Sequence, residues 1–347
     1  MKKEKIILDV DTGTDDAVAI ILAMLCKDFE LLGICSVNGN VELALTTDNT
    51  LRVVDYCGMG EYVPVIQGCE LPMVSTLLPW TPQSTGIMTA HTKKDIRCIP
   101  RREGMRSNSQ EMHGDHLPLP KTSLQPIEKS AVVWLIETLM AADDHSITLI
   151  PVGPLTNIGV AIRADPRILS KIKRIVLMGG GYLVNSRTPA AEFNIWADPE
   201  AAEIVFQSGC EITCVPLDAT HAAYITLEQT DELRDINTKE ARFIADIIEG
   251  RIQGYVRRDK DMDQRKGAPV HDALAVCAVL HPEVLTDVAE CNCHVDISGG
   301  YAYGQTILDR RELKNGEPKN CKFALNADRR IFFHWMKSVL RQAADDN

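Results

Sequence analysis

The chain has 347 residues, 45% of them apolar and 24% charged, a balance suited to a globular protein with a large buried core. Its net charge of −11 comes without a long basic run, which disfavours nucleic acid and membranes as partners, a local patch at Arg101, Arg102 and Arg106 aside. No apolar stretch has membrane-spanning length, and MKKEKIILDVD runs directly into a strand pattern rather than a secretory core, so a cytoplasmic protein is expected.

In chain order, apolar runs of strand length alternate with amphipathic runs of helix length. KIILDVD leads into DAVAIILAMLCK, LLGICSVNG into VELALTTDNTLRVVDYCG, and SITLIPVG into PLTNIGVAIRADPRILSKI. RIVLMGGG is followed by a loop, the helix-like DPEAAEIVFQSG and the strand EITCVPLDAT. AECNCHVDI, GQTILDRREL and CKFALNAD read as further strands, and IFFHWMKSVLRQAA as a closing helix. This rhythm predicts an α/β fold: a Rossmann-like, mainly parallel but mixed sheet covered by helices, with its chemistry at the carboxyl ends of the strands. No repeat or linker interrupts it, so residues 1–347 form a single domain. Two stretches break the rhythm, 70–127 and the charge-dense 255–268, and both are expected to be irregular, lid-like insertions.

Eleven cysteines are scattered through these runs and only Cys291 and Cys293 are closely spaced. Without a CxxC pair, reduced and mostly buried thiols are expected rather than zinc or disulfides. Gly179, Gly180 and Gly181 follow a strand, yet no GxGxxG or P-loop pattern is present; they suit close approach of backbone to a ligand.

The stretch DVDTGTDDAVAI, residues 9–20, gathers four aspartates within eight residues. Asp9 and Asp11 end the first strand, one expected in the sheet and the other at the crevice above it. Asp15 and Asp16 open the following helix, where capping and the helix dipole account for one or two carboxylates. Four so close together repel one another and raise their own pKa values unless a cation neutralises them, and clustered hard oxygen ligands select Ca²⁺ or Mg²⁺. Helix capping with surface charge remains the alternative at this point.

DVDTGTDDAVAI resembles the DxDxGxDDAxAI signature of the nucleoside hydrolases, in particular the inosine-uridine-preferring type. The resemblance extends along nearly the whole chain, through VNGN at 37–40, PVGPLTNI at 151–158, VLMGGG at 176–181, TPAAEFNIWADPEAA at 188–202 and PVHDALAV at 269–276. It implies the nucleoside hydrolase fold and hydrolysis of a ribonucleoside to ribose and free base in nucleobase salvage, by a homodimer or homotetramer. Carried over, it makes Asp11, Asp16, Asp272 and the carbonyl of Val152 the Ca²⁺ ligands. Asp15 and Asn194 would hold ribose hydroxyls, with Asn40, Met178 and Glu192 completing the sugar pocket and Asp9 orienting its neighbours. Asp11 would be the general base and His271, in VHDA, the general acid for the departing base; for an arbitrary histidine, capping or packing is the blander reading.

Three departures bear on substrate. His113, in EMHGDHLPLP, resembles the histidine of the family's HGxxGL loop that faces the nucleoside, but the loop is shortened and His116 stands near the expected glycine. Where relatives read GNxTPAAEFN, this chain has NSRTPAAEFN, so Ser186 replaces an asparagine that would contact the ribose 5′-hydroxyl. Arg187 beside it either points to solvent or leaves room for a 5′-phosphate. Finally, Tyr255 lies farther from the catalytic histidine than usual, and Asp259, Asp261 and Asp263 form either a solvated loop or an acidic lid for a modified cationic base such as that of queuosine. A catalytically silent nucleoside-binding protein is the remaining alternative, though a binder needs no general acid.

Overall fold

The computed structural model describes residues 3–77 and 115–345. Its main sheet is built from β1 (Glu4–Val10), β2 (Phe29–Ser36), β3 (Val65–Gln67), β4 (Ile147–Pro151), β5 (Ile172–Met178) and β6 (Ile212–Val215). A two-stranded ribbon, β7 (Ile225–Thr226) and β8 (Gly267–Ala268), stands apart; β9 (Leu285–Val295), β10 (Thr306–Asp309) and β11 (Cys321–Ala327) complete the large sheet. Its order is β10-β9-β11-β6-β5-β4-β1-β2-β3. Neighbours from β11 to β3 are parallel, whereas β9 runs antiparallel to both β10 and β11. The mixed, mainly parallel sheet therefore matches the sequence expectation.

Twelve described helices connect and cover the strands: α1 (Thr14–Leu25), α2 (Leu43–Tyr56), α3 (Ala131–Met140), α4 (Thr156–Ala164), α5 (Phe193–Ala197), α6 (Pro199–Phe206), α7 (Leu217–Ala222), α8 (Leu227–Arg234), α9 (Lys239–Val256), α10 (Lys260–Arg265), α11 (His271–Leu280) and α12 (Arg329–Asp345). Strand β1 shows why its sequence is a continuous apolar run. Ile6, Leu8 and Val10 enter one apolar cluster and Ile7 enters the other, so both faces are covered. Helix α1 is buried almost all round because α2, α11 and α12 pack on it.

The chain runs outward from β1 through β2 to β3, then returns to place β4 on the other side of β1. Strand order thus reverses between β1 and β4, and a crevice opens beyond their carboxyl ends. Asp11, Asp15 and Asp16 follow β1 there, and Val152 follows β4.

The 255–268 stretch departs from expectation. Instead of an irregular loop it contains the last two residues of α9, helix α10 and β8. The alternating charges conceal a cap and an anchor: Asp259 Oδ1 accepts the backbone N–H groups of Asp261 and Met262 at 2.9 and 3.1 Å, and Met262 is fully buried. Of 70–127, the described parts hold one 3₁₀ turn, Ser75–Leu77, and otherwise no helix or strand. Residues 117–119 are nonetheless tied down, since Leu117 N–H donates to Asn49 Oδ1 and Arg52 Nη1 to the Leu119 carbonyl.

Candidate active site

A cavity of about 430 Å³ lies in the crevice, lined by Asp11, Asp15, Asn40, Val152, Met178, Ser186, Glu192, Asn194, His271 and Asp272 among others. Asp16 sits beneath these groups with no exposed surface. His113 lies outside the described residues. The blocks that the sequence keeps far apart are therefore brought to one place.

The turn after β1 is organised by Asp16. Its Oδ1 accepts the Asp11 N–H at 3.1 Å and its Oδ2 accepts the Gly13 N–H at 2.9 Å, which caps α1 from inside the helix. Asp11 in turn receives the Asn40 N–H on Oδ2 at 2.6 Å, and Asn40 Nδ2 reaches the Asp11 carbonyl at 3.3 Å and Asp16 Oδ2 at 3.4 Å. Asp9 points away from the cavity: Oδ1 accepts from Asn157 Nδ2 at 3.2 Å, while Oδ2 has no partner among the described residues. Burial pushes its carboxyl up to about 8.

Carboxylate atoms of Asp15, Asp16 and Asp272 come within 4.8 Å of one another. Burial, then repulsion from neighbouring carboxylates, raises Asp16 to about 7 and holds Asp11 and Asp272 well above the ordinary range. The buried cation beside them is Arg251, 3% exposed, whose Nη1 lies 3.0 Å from Asp15 Oδ1 and donates to Thr14 Oγ1 at 2.8 Å. One guanidinium against four buried carboxyl groups leaves an excess of negative charge, and an all-oxygen donor set fits a hard divalent cation.

On the β5 side, Glu192 Oε2 caps α5 by accepting N–H bonds from Asn194 at 2.9 Å and Ile195 at 3.2 Å, and it also takes that of Gly180 at 2.9 Å. Gly180 adopts φ +78°, a backbone turn that glycine permits. Burial lifts Glu192 to about 7. Asn194 Nδ2 donates to the Val152 carbonyl at 2.7 Å and to that of Met178 at 3.1 Å, so the oxygen expected to ligate a metal also anchors this amide. Ser186 lines the cavity, and its Oγ accepts the Phe193 N–H at 3.2 Å.

His271 begins α11 and is held from both ring nitrogens: Nδ1 lies 2.7 Å from Thr220 Oγ1 and Nε2 lies 2.7 Å from the Tyr255 hydroxyl. The His221 ring stands 5.7 Å from that of His271, and burial lowers its pKa. Thr220, His221, Arg251 and Tyr255 were not singled out as site residues by sequence reasoning. The sequence distance of Tyr255 from His271 misleads, because β8 and α10 fold the intervening segment back and return the chain to the end of α9. The sequence signal for Arg251 was a charge set between apolar residues on a mainly apolar helical face.

Buried carboxylates able to hold a metal ion, beside a buried imidazole and an open cavity, are the parts of a metal-assisted hydrolase site. A model of the inosine-uridine preferring nucleoside hydrolase family matches residues 6–334. The chain is 36% identical to the inosine-uridine preferring nucleoside hydrolase of Leishmania major over 325 residues, covering 92% of this chain and 90% of that protein. It is 34% identical to the pyrimidine-specific ribonucleoside hydrolase of Escherichia coli O157:H7, with 98% of each covered. Among solved structures, the purine-preferring ribonucleoside hydrolase from Gardnerella vaginalis superposes with a TM-score of 0.82 at 29% identity, over 99% of this chain and 100% of that one. The chain belongs to the inosine-uridine preferring nucleoside hydrolase family and is an N-ribohydrolase, cleaving the N-glycosidic bond of ribonucleosides.

Proposed function

We propose that this N-ribohydrolase is Ca²⁺-dependent, with Asp11 as general base, His271 as general acid, and Asp11, Asp16, Asp272 and the Val152 carbonyl as the metal-holding groups. The observation that carries the reading is the buried cluster of Asp15, Asp16 and Asp272, beside which Asp11 stands against Asp16 though outside that group of three, and whose charge exceeds what Arg251 balances. A bound Ca²⁺ would supply Lewis acidity to a water molecule and to sugar hydroxyls at that cluster.

The chain's own groups do the rest. Asp15 and Asn194 orient the 2′- and 3′-hydroxyls, while Asn40, Met178 and Glu192 shape the sugar pocket, making attack effectively unimolecular. Asp11 takes a proton from the attacking water; it lines the cavity, and the Asn40 N–H on Oδ2 sets the rotation of its carboxylate. Carboxylates around the ribose stabilise the positive charge that develops as the glycosidic bond lengthens. His271 donates a proton to the departing base, and Tyr255 and Thr220 fix its ring.

The same reading makes the enzyme a cytoplasmic homodimer or homotetramer that returns bases to salvage. Supporting it is the family membership; among the described residues no helix is long and apolar enough to cross a membrane. A second reading, hydrolysis of a modified cationic nucleoside such as queuosine, draws support from Asp259, which lines the cavity. Release of reducing sugar from inosine, uridine and queuosine, with and without chelator, tests both. Turnover abolished by chelator and by Asp11→Asn is expected; metal-independent turnover overturns the reading, and binding without turnover identifies a silent binding protein.

A further inference from the structure

The loop between β5 and α5 brings together polar atoms that the fold leaves unpaired. Among the described residues, Arg187 Nε and Trp196 Nε1 are buried without a hydrogen-bond partner, as is Asn185 Oδ1 nearby in sequence. Arg187 and Asn185 line the active-site cavity, and the Arg187 guanidinium stacks on the Trp196 ring, 4.7 Å from its centroid. The loop itself is fixed, since the Arg187 N–H donates to the Ala191 carbonyl at 3.0 Å.

Other partly buried arginines find acceptors within the chain: Arg52 meets Asp48, Arg174 meets Glu4, Arg251 meets Asp15, and Arg329 reaches the Tyr224 hydroxyl and Gln229 Oε1. No described carboxylate pairs with Arg187, and among the described residues its Nε is without a partner. Burial alone draws its pKa below the ordinary guanidinium value, with no acidic neighbour to raise it. Withdrawing a guanidinium from water without a counter-ion is costly. The guanidinium is a donor only, so what completes Arg187 must be an acceptor, and its fork matches phosphate oxygens in particular.

We propose that Arg187, with Ser186 at the same rim, forms an anion subsite that receives the 5′-phosphate of a ribonucleoside 5′-monophosphate. This rests on the proposed placement of the nucleoside. With the base directed to His271 and the 2′- and 3′-hydroxyls held by Asp15 and Asn194, the remaining exocyclic arm of the sugar is C5′. In the reaction, water oxygen bonds to C1′ and gives a proton to Asp11. The C1′–N bond breaks, and the base leaves with the bonding pair and takes a proton from His271. The phosphate ester is untouched, and the products are free base and ribose 5-phosphate.

The test compares ribose with ribose 5-phosphate as inhibitors of uridine hydrolysis, and uridine with uridine 5′-monophosphate as substrates, in wild type, Arg187→Ala and Arg187→Lys. Ribose 5-phosphate is expected to inhibit at least about tenfold more tightly than ribose, and the monophosphate to be cleaved. Arg187→Ala should cut kcat/KM for the monophosphate by about ten- to a hundredfold while moving that for uridine by less than about threefold, and Arg187→Lys should restore part of the loss. Equal inhibition by the two sugars, or an equal loss on both substrates, overturns the subsite. So does a variant that is merely less heat-stable with its inhibitor ratio unchanged, because Arg187 would then serve a partner within the chain. Should neither uridine nor inosine be hydrolysed, the proposed catalytic roles fail, and thermal shifts with the two sugars still decide the subsite; should inosine alone be hydrolysed, inosine and its 5′-monophosphate take the place of the uridine pair.

Discussion

The Tyr255 hydroxyl lies 2.7 Å from Nε2 of His271, whose Nδ1 lies 2.7 Å from Thr220 Oγ1. The Thr220 hydroxyl donates to the Leu217 carbonyl at 3.3 Å, so its oxygen accepts the Nδ1 proton, and Nε2 accepts from Tyr255. Burial pushes the Tyr255 hydroxyl up to about 12, which keeps it protonated at neutral pH. To act as the proposed acid, His271 must take up a second proton, on Nε2, and the Tyr255 oxygen then accepts from Nε2 and keeps the ring in place. Tyr255→Phe should lower kcat for inosine and uridine by about ten- to a hundredfold, within the range of general acid catalysis. An aryl riboside with a nitrophenolate leaving group needs no proton and should lose little. An equal loss on all three substrates would mean that the hydroxyl only supports packing.

Arg251 binds Asp15 through a contact in which both side chains are almost wholly buried, 2% and 7% exposed. Its Nε also donates to the Pro269 carbonyl at 3.1 Å, so α9 is tied to the segment that leads into His271. Removing one partner of such a pair strands the other charge, at a typical cost of about 3–5 kcal/mol. Arg251→Met should therefore destabilise the metal-free protein by about that amount in chemical denaturation. Added Ca²⁺ should recover part of it, because the remaining carboxylates then need a cation more. Equal destabilisation with and without Ca²⁺ would show that Arg251 and the metal site do not share charge balance.

How far the sequence foretells this site depends on the kind of contact involved. Asp11, Asp15 and Asp16 stand within one turn of chain, and His271 and Asp272 are adjacent, so short motifs announce them and the alternating elements predict where they meet. Arg251 and Tyr255 reach the same place through α9 and the fold-back of α10 and β8, whose mixed charges hide the capping role of Asp259 and the buried Met262. A charge pattern read without its capping geometry looks like a loop. The double duty of the Val152 carbonyl was equally hidden, since backbone oxygens carry no residue-type signal.

The acid cluster sets a definite pH response. In the unfolded chain aspartates titrate near 4, whereas in the fold Asp16 within the cluster is raised to about 7 and Asp9, buried outside it, to about 8. Between these values the folded state binds more protons than the unfolded one, so the stability of the metal-free protein should fall as pH rises from about 4 to about 8 and level off beyond. Saturating Ca²⁺ binds the ionised cluster and should remove the share of the slope that Asp16 contributes, while adding about 2.7 kcal/mol at a hundredfold excess over Kd. Melting temperatures recorded across this range with chelator and with Ca²⁺ check both effects. A flat profile in chelator would contradict the burial of these charges.

Two glycines make room for Asp11, the proposed general base. A Cβ placed on Gly39 would sit 2.1 Å from Asp11 Oδ2, and one on Gly153 would sit 2.9 Å from Asp11 Oδ1. The Asp11 carboxylate is therefore gripped between the backbone after β2 and the backbone after β4, and the Asn40 N–H sets its rotation. Because Gly39 is required by this close approach, Gly39→Ala must displace Asp11 by more than a few tenths of an ångström. Small misplacements of reacting groups cost about a hundredfold in rate. Gly39→Ala should lower kcat by about that factor on every nucleoside, whatever its leaving group, in contrast to Tyr255→Phe. Retained activity in a protein that still melts cooperatively would show that Asp11 need not occupy this position to take the proton.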